Sequence, residues 1–326
     1  MHALFPRPRH VALGMVLALG TLAGTAAQAT YPDRPIKLVV PFGPGGTTDV
    51  LGRLLAERLG TAPGQPVVVE NRPGAGSMIG TAQVARAQPD GYTLLFATSS
   101  SLAVSPAYTK TQYDPIADFA PVILMAASPM AVVVAPDVPA QTLPELIALA
   151  KAKPGALNLA SFGTGSASHL TGELFEAATG VDMVHVPFNG SAAAMTELQS
   201  NRVHALFDMV GAARPHAEAG RVRVLATTGL KPAAALPDVP TVAATVPNFE
   251  STPWFGIVAP ANTPPDIVQR LNTELGQALQ TPAVRTLLEQ QSFEIIGGTP
   301  AAFGEVIAAD FEKWRTVVRQ ANLQAP

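Results

Sequence analysis

The chain has 326 residues, of which 48% are hydrophobic, 14% are charged and none is cysteine. The lack of cysteine excludes disulfides, thiolate metal sites and a cysteine nucleophile. A net charge of -3 argues against a nucleic-acid partner, because proteins that bind nucleic acids usually carry a basic face. The length favours two domains or one large α/β unit.

The first 29 residues have the composition of a secretory signal. Arg7 and Arg9 precede an uncharged apolar run over 11–24, and an Ala-Gln-Ala sequence at 27–29 places small residues where a signal peptidase cuts. The alternative is an uncleaved membrane anchor, for which the apolar run is short. We therefore expect cleavage near Ala29 and export to the periplasm.

Short apolar runs and helical patterns alternate along the rest of the chain. Most of the apolar runs are continuous, which is typical of strands buried on both faces of a parallel sheet. Their alternation with helices predicts α/β layers. The predicted elements in chain order are strand Ile36–Pro41, helix Asp49–Leu59, strands Val67–Glu70, Thr93–Ala97 and Val132–Ala135, helix Leu143–Ala150, strand Leu157–Ala160, helix His169–Ala178, strand Val184–Val186, helix Ala192–Gln199, strands Val203–Phe207, Val222–Ala226 and Phe255–Val258, and helices Pro265–Leu279, Pro282–Gln290 and Thr299–Ala321.

Glycine-rich turns follow predicted strands at 41–49, 70–77 and 161–169, and each opens a helix. Glycine lets a ligand approach the backbone, and the free N–H groups of a helix start favour an anion. A single turn of this kind would indicate only a tight connection between a strand and a helix. Several of them in a chain with few charges indicate convergence on an anion.

The sequence around these turns favours a carboxylate over a phosphate. No lysine follows the glycines, as a phosphate-binding loop requires, and the glycine spacing over 74–80 has one residue too many for a dinucleotide fingerprint. A carboxylate fits the same geometry and suits an exported protein.

Catalytic and metal-binding signatures are weak. Neither a G-x-S-x-G elbow nor an H-E-x-x-H motif is present. Ser166 and His169 offer a nucleophile and a base, although we favour His169 as a brace of its own turn. His185 and His204 lie within predicted strands, where core histidines are commoner than metal ligands. Asp208 ends a predicted strand. Its side chain contacts either a ligand or a neighbouring amide, and the sequence favours neither.

The order of motifs along the chain resembles the substrate-binding proteins of tripartite tricarboxylate transporters, also called Bug receptors. The resemblance runs through nearly the whole chain after the signal. The motifs that carry it are Tyr31-Pro32-Asp33-Arg34-Pro35-Ile36, the glycine-rich stretch within 40–53, Val69-Glu70-Asn71-Arg72-Pro73-Gly74-Ala75-Gly76, Pro89-Asp90-Gly91-Tyr92-Thr93-Leu94, Gly163-Thr164-Gly165-Ser166 with His169-Leu170, Val186-Pro187-Phe188, Leu236-Pro237-Asp238-Val239-Pro240-Thr241 and Trp254-Phe255-Gly256.

This resemblance implies a periplasmic two-lobe α/β binding protein of type II-like architecture. Each lobe is expected to hold a mixed, mainly parallel sheet flanked by helices, with the chain crossing near Ser128–Ala135 and Thr252–Ala259. The first lobe would comprise 30–130 and 255–326, and the second 131–254. The implied function is to bind a small organic carboxylate and deliver it to membrane permease subunits, without catalysis. We expect no cofactor or metal, and a monomer is the default expectation for the oligomeric state.

The family's binding positions carry over onto the glycine-rich turns. Ser99, Phe188, Asn189 and Asp208 complete the predicted site. The residues that match the family's three turns are Phe42, Gly45, Gly46, Thr47 and Asp49 in the first, Gly74, Ala75, Gly76 and Ser77 in the second, and Thr164, Gly165, Ser166 and His169 in the third.

One segment departs from the family pattern. After Val186-Pro187 the family usually has tyrosine, a basic residue and two glycines, whereas this chain has Phe188-Asn189-Gly190-Ser191. The change removes a hydroxyl and a positive charge, which favours a monocarboxylate or a ligand with a neutral polar distal end. Two other functions remain as alternatives, a secreted serine hydrolase and a sensor that presents its ligand to a signalling partner.

Overall fold

The computed structural model describes residues 1–3, 31–61 and 64–323. Tyr31–Pro326 form one compact unit, and every strand and helix that the structure describes belongs to it. The predicted signal peptide and its cleavage site lie outside the described residues, apart from the first three positions. No helix in the described ranges is long and apolar enough to cross a membrane.

The described strands form two sheets, one of six strands and one of five. The strands are β1 (Ile36–Val40), β2 (Val67–Asn71), β3 (Thr93–Thr98), β4 (Phe119–Ala127), β5 (Met130–Val134), β6 (Asn158–Ser161), β7 (Val184–Pro187), β8 (Ala205–Met209), β9 (Arg223–Thr227), β10 (Trp254–Pro260) and β11 (Glu294–Ile295).

Helices connect most of these strands and cover the sheets. Single 3-10 turns occur at Ala75–Ser77 and Val242–Ala244, and a π-helical turn at Ser100–Val104. The α-helices are α1 (Thr47–Thr61), α2 (Met78–Ala85), α3 (Ser105–Tyr108), α4 (Leu143–Ala152), α5 (Ala167–Thr179), α6 (Ser191–Gln199), α7 (Val210–Glu218), α8 (Pro265–Gln280), α9 (Pro282–Gln290) and α10 (Pro300–Gln320).

Both sheets are mixed. The first has the order β11-β4-β10-β3-β1-β2, and the second has the order β7-β6-β8-β5-β9. Parallel pairing joins β1 to β2 and β3, and β6 to β7 and β8. The two mixed sheets with flanking helices confirm the predicted α/β class.

The expected dominance of parallel pairs is not observed. β10 runs antiparallel to β3 and β4, β11 runs antiparallel to β4, and β5 runs antiparallel to β8 and β9. The reason is connectivity, since β5 and β10 each enter their sheet from the other one. A strand that arrives without a helical crossover of its own is free to pair in the opposite direction.

The chain passes between the sheets at two adjacent places. β4 of the first sheet ends at Ala127 and β5 of the second begins at Met130, and the return passage leads into β10. The amide of Ser128 donates to the carbonyl of Pro253 at 3.0 Å, so the two passages lie side by side. The predicted passages include these residues but extend into β5 and β10.

The predicted strands and helices are present with shifted ends, and local causes explain two of the elements that were not predicted. β4 was not predicted, because Pro121 interrupts its apolar run and proline is rare inside strands. α7 carries Gly211 and Pro215, which hide its helical pattern. Trp254, the residue before the predicted strand Phe255–Val258, is the first residue of β10, and its Nε1 donates to Asp310 Oδ2 at 2.7 Å.

Candidate ligand-binding site

A cavity with a free volume of about 30 Å³ lies between the loop ends of the two sheets. This volume has room for one or two water molecules, so the wall must move apart to admit a small organic acid. Its lining residues come from β3, β5, β8 and β10 and from the turns and helix starts next to both sheets. They are Phe42, Gly43, Gly46, Thr47, Thr48, Thr98, Ser99, Ser100, Met130, Phe162, Ala167, Ser191, Met209, Pro253 and Phe255.

Helix starts converge on this cavity. α1 begins at Thr47, α5 at Ala167 and α6 at Ser191, and all of these residues line it. A Cβ built on Gly46 would lie 3.4 Å from Ser191 Cβ and 3.6 Å from the Ser191 amide nitrogen. The N-termini of α1 and α6 therefore lie against each other at the cavity wall. The positive ends of both helix dipoles and their unpaired N–H groups attract an anion to the same place.

Two hydroxyls on the cavity wall have no hydrogen-bond partner among the described residues. They are Thr47 Oγ1 and Ser99 Oγ, and both atoms are buried. Ser99 is only 3% exposed. Because buried polar groups are nearly always paired, these two hydroxyls are available as donors to a ligand. Other hydroxyls nearby are engaged, as with Ser100 Oγ, which accepts from the Ala167 amide at 2.9 Å.

The Asp49 carboxylate holds the first turn in place through hydrogen bonds on the side away from the cavity wall. Its Oδ2 accepts from the Gly45 amide at 2.9 Å and from Arg53 Nε at 3.1 Å, and its Oδ1 accepts from Asn71 Nδ2 at 2.9 Å. Burial alone would raise the pKa of Asp49, but the bonds from Arg53, Gly45 and Asn71 outweigh it and lower the pKa below its usual value. Asp49 is therefore an ionised brace of the turn, and it does not line the cavity.

The second turn has an unusual backbone. Gly74, Ala75, Gly76 and Ser77 all have positive φ values, which for the alanine and the serine is a strained conformation. A Cβ on Gly76 would lie 2.3 Å from the carbonyl oxygen of Thr164, so only glycine fits here. The second turn thus packs directly on the third, at the flank of the cavity.

The third turn is fixed by its own helix and by α3. Ser166 caps α5 by accepting from the His169 amide at 3.3 Å, and the Gly165 amide donates to His169 Nδ1 at 3.1 Å. Ser105 Oγ donates to the carbonyl of Gly165 at 2.8 Å. In this arrangement Ser166 Oγ contacts the backbone of His169 rather than its ring, so the nucleophile and base of the hydrolase alternative are not paired.

The buried His169 forms an aromatic pair with the half-buried His185. Its ring stacks on that of His185 with 3.8 Å between centroids, and its Nε2 lies 3.2 Å from Glu173 Oε1. Burial, then the nearby His169, lower the pKa of His185 to about 4. His185 is therefore neutral near pH 7, and its Nε2 lies 2.6 Å from Ser161 Oγ. No cluster of three or more metal-ligating side chains occurs in the described part of the chain.

Asp208 contacts a neighbouring amide, one of the two alternatives from the sequence. It is fully buried, and burial raises its pKa to about 7 despite the bonds it accepts. Its Oδ2 accepts from Ser191 Oγ and its Oδ1 from the Met209 amide, both at 2.7 Å. Asp208 thus lies one residue behind the cavity wall, in contact with two residues that do line it.

A family model described as the tripartite tricarboxylate transporter family receptor, TctC, matches residues 51–323. The chain belongs to this family. The protein BugT of Bordetella pertussis is 38% identical to this TctC receptor over 313 residues, which cover 95% of this chain and 96% of BugT. A protein from the tcbD-tcbE intergenic region of Pseudomonas sp. is 37% identical over 321 residues, covering 97% and 95% of the two chains.

Solved structures support the same assignment. Rpa4515 of R. palustris with adipate superposes with a TM-score of 0.87 at 37% identity, covering 90% of this receptor and 99% of that chain. MatC of Rhodopseudomonas palustris with bound malate gives 0.85 at 31% identity, covering 88% and 100%. These matches confirm the predicted family, the two-lobe periplasmic-binding-protein fold and a solute-binding role rather than an enzymatic one.

The structure brings part of the predicted site of this receptor to the cavity wall. Phe42, Gly46, Thr47 and Ser99 line it. The other predicted residues lie around it, where they brace the turns or join the two sheets, and their role toward a ligand stays a prediction. They are Gly45, Asp49, Gly74, Ala75, Gly76, Ser77, Thr164, Gly165, Ser166, His169, Phe188, Asn189 and Asp208.

Sequence reasoning missed several wall residues of the TctC receptor. Thr98 and Ser100 flank Ser99 where β3 ends, and the carboxyl ends of parallel strands are where α/β sheets bind ligands. Ser191, at the segment that departs from the family pattern, lines the cavity. Met130 and Met209 had no local signal, because neighbouring strands bring them together from distant parts of the chain.

Proposed function

We propose that this receptor captures a small organic carboxylate in the cavity and delivers it to the membrane permease of a tripartite tricarboxylate transporter. The observation that carries the proposal is the buried, unpartnered Ser99 hydroxyl beside the facing N-termini of α1 and α6. Backbone N–H groups and hydroxyls are the donors that hold a carboxylate where no cationic side chain is present. Relatives in the same family hold adipate and malate in solved structures.

Closure of two lobes around the ligand follows from the contacts at the cavity edge. In our proposal the lobes comprise 30–130 with 255–326, and 131–254. The Gly43 amide donates to the Asn189 carbonyl at 2.9 Å, and the Ala167 amide donates to Ser100 Oγ at 2.9 Å. Phe42 meets Phe162 edge-on with 6.5 Å between ring centroids. These contacts form only when the lobes are closed, so a hinge motion would admit and trap the ligand.

A melting-temperature screen against organic acids tests the proposed function. A ligand present at about 100 times its Kd stabilises the folded state by about 2.7 kcal/mol. We expect one or more carboxylates to raise the Tm by about 5–10 °C, given how the Tm shift scales for domains of this size. Esters or amides of the same acids, which lack the anionic group, serve as matched controls and should give no shift. The absence of a shift with every acid would contradict the proposal.

Export and assembly are separate parts of the proposal. We propose cleavage after Ala29, release into the periplasm and a monomeric receptor. The intact mass of protein from a periplasmic extract should match a chain that begins at Thr30. Light scattering after size-exclusion chromatography should give the mass of one chain, and a mass of two chains would contradict the monomer.

A further inference from the structure

Asp208 places a carboxyl group directly behind the cavity wall. None of its surface is exposed. Its Oδ2 accepts from Ser191 Oγ and its Oδ1 accepts from the Met209 amide, both at 2.7 Å, and both donor residues line the cavity. A buried carboxylate is costly unless an opposite charge accompanies it, so this position holds a negative charge only weakly.

No charged side chain compensates Asp208 among the described residues. Its hydrogen bonds come only from the Ser191 hydroxyl and the Met209 amide. Burial raises the pKa of Asp208 to about 7, and these two bonds lower it only in part. The carboxyl is therefore divided between its two protonation states near neutral pH. The titratable residues on the surrounding elements are His169, Glu173 and Glu176 on α5, Glu197 on α6, Arg214, His216 and Glu218 on α7, and Asp49 and Arg53 on α1, whose start faces that of α6.

The protonation state of Asp208 decides where the Ser191 hydroxyl can donate. A serine hydroxyl has one proton to donate. When Asp208 is ionised, its Oδ2 accepts that hydrogen bond, and Ser191 Oγ offers only lone pairs to the cavity. A protonated Oδ2 becomes the donor in the same bond, which frees the Ser191 proton to turn toward an anion. The Met209 amide stays on Oδ1 in both states, because an amide N–H can only donate.

A bound carboxylate also favours the protonated state of Asp208 through its charge. Ser191 is the first residue of α6, whose start is one of the two that attract the anion in the proposed function. An anion that accepts from Ser191 Oγ lies within two hydrogen-bond lengths of Asp208 Oδ2, about 5.5 Å. Two carboxylates this close do not both stay ionised without a cation. The helix starts stabilise the charge of the ligand, whereas burial disfavours that of Asp208, so the proton goes to Asp208.

We propose that this receptor takes up a proton at Asp208 when it binds its carboxylate, so that the acid and the proton are captured together. The proposal rests on the proposed function and deepens it. The proton comes from the solvent, bonds to Oδ2 and returns to the solvent when the acid leaves. Asp208 is a positioning residue in this scheme, because it acts on the ligand through Ser191. Affinity should therefore fall as the pH rises above neutrality, where the free carboxyl is ionised.

Titration calorimetry in two buffers measures this proton. The probes are adipate, malate and the acid that gives the largest shift in the melting-temperature screen, each titrated at pH 8 in HEPES and in Tris. These buffers differ in ionisation enthalpy, so a proton taken from the buffer makes the observed heats differ. We expect an uptake that approaches one proton per bound acid at pH 8, and much less at pH 6, where Asp208 is already protonated. The dissociation constant should rise by up to about tenfold per pH unit between about pH 7 and 9.

Asp208→Asn tests whether this residue holds the proton. The amide cannot ionise, and like the protonated carboxyl it can accept from the Met209 amide and donate to Ser191 Oγ. We expect no proton uptake and an affinity that stays constant between about pH 6 and 9. Asp310→Asn is the matched control. Burial also raises the pKa of Asp310, but its carboxyl accepts from Trp254 Nε1 and does not line the cavity, so this variant should keep the uptake and the pH profile.

The outcomes separate this inference from the proposed function. Equal heats in the two buffers would overturn the proton uptake and leave the carboxylate receptor standing. Uptake that persists in a folded Asp208→Asn protein would refute the role of Asp208. If no acid binds, both are overturned.

Ser191→Ala is the second variant, for the case that Asp208→Asn does not fold. It removes a bond that stabilises the ionised Asp208, so the pKa of Asp208 in the free protein should rise. The uptake at pH 8 should then fall, because more of the carboxyl is already protonated before the acid binds. An unchanged uptake would refute the link through Ser191.

Discussion

Ser99→Ala is the sharpest test of the anion site, because it should separate affinity from stability. Ser99 Oγ is buried and has no partner among the described residues, so its removal breaks no hydrogen bond within the protein. A buried hydroxyl without a partner costs about 1–3 kcal/mol, so the ligand-free variant should be as stable as the unmodified protein or more stable.

The ligand-bound state should respond in the opposite direction. A hydrogen bond to a charged group contributes about 1.5–3 kcal/mol. Loss of the Ser99 donor should therefore weaken carboxylate binding by about 10- to 150-fold. Titration calorimetry with the tightest acid of the screen gives the affinity, and urea unfolding without ligand gives the stability.

Ser101→Ala is the matched control, two residues along the same turn. Ser101 Oγ accepts from the Thr98 amide at 2.8 Å and donates to the Thr98 carbonyl at 2.8 Å, and it does not line the cavity. This change should lower the free energy of unfolding by about 1–3 kcal/mol, because it orphans a buried amide. Its effect on affinity should be small. If Ser99→Ala lost stability and kept its affinity, the Ser99 hydroxyl would be structural and the anion site misplaced.

Three further changes probe the surroundings of the cavity. Gly76→Ala should weaken binding by at least about tenfold by calorimetry, because its Cβ would lie 2.3 Å from the Thr164 carbonyl oxygen when the lobes close. Gly297→Ala is the control, because Gly297 also has a positive φ but no atom lies within 4 Å of the added Cβ, and it should leave the affinity unchanged. Equal losses of affinity in the two variants would contradict the role of Gly76 in lobe closure. Asp208→Asn should remove a pH dependence of the folding stability. Burial raises the pKa of Asp208 to about 7. Between about pH 4 and 7 the carboxyl is therefore ionised in the unfolded chain but keeps its proton in the folded protein. Stability then falls as pH rises through that window, by at most about 1.4 kcal/mol per pH unit, and urea midpoints across the window should be flatter in the variant. Asp49→Ala removes the acceptor of the Gly45 amide, so it should lower both the Tm and the affinity for the carboxylate. An unchanged affinity would show that the first turn keeps its conformation without Asp49.

The sequence predicted the parts of the site that are encoded locally. A strand, a glycine-rich turn and a helix start lie within about ten residues of each other, so Gly46 and Thr47 could be placed at the cavity from their own neighbourhood. The capping bond from the His169 amide to Ser166 Oγ is also a short-range contact, although Ser166 lies beside the cavity and not on its wall.

The parts that were missed depend on residues far apart in the chain. Met130 reaches the wall because β5 pairs with β8, which ends at Met209. The Gly43 amide meets the Asn189 carbonyl only after both sheets have formed. Periodicity and turn chemistry carry no information on such pairings, so the sequence could not separate the residues of the cavity wall from those that hold the turns in place.

The facing starts of α1 and α6 have a consequence for how this receptor can diversify. Their donors are main-chain groups, which every residue type other than proline supplies. Mutations in the apolar wall can therefore change the shape of the accepted body while the grip on the carboxylate persists. In this fold, binding of the carboxylate group and selection of the rest of the ligand are separable traits. A library of variants at Met130, Phe162, Met209 and Phe255 would therefore sample new ligands while the carboxylate site stays the same.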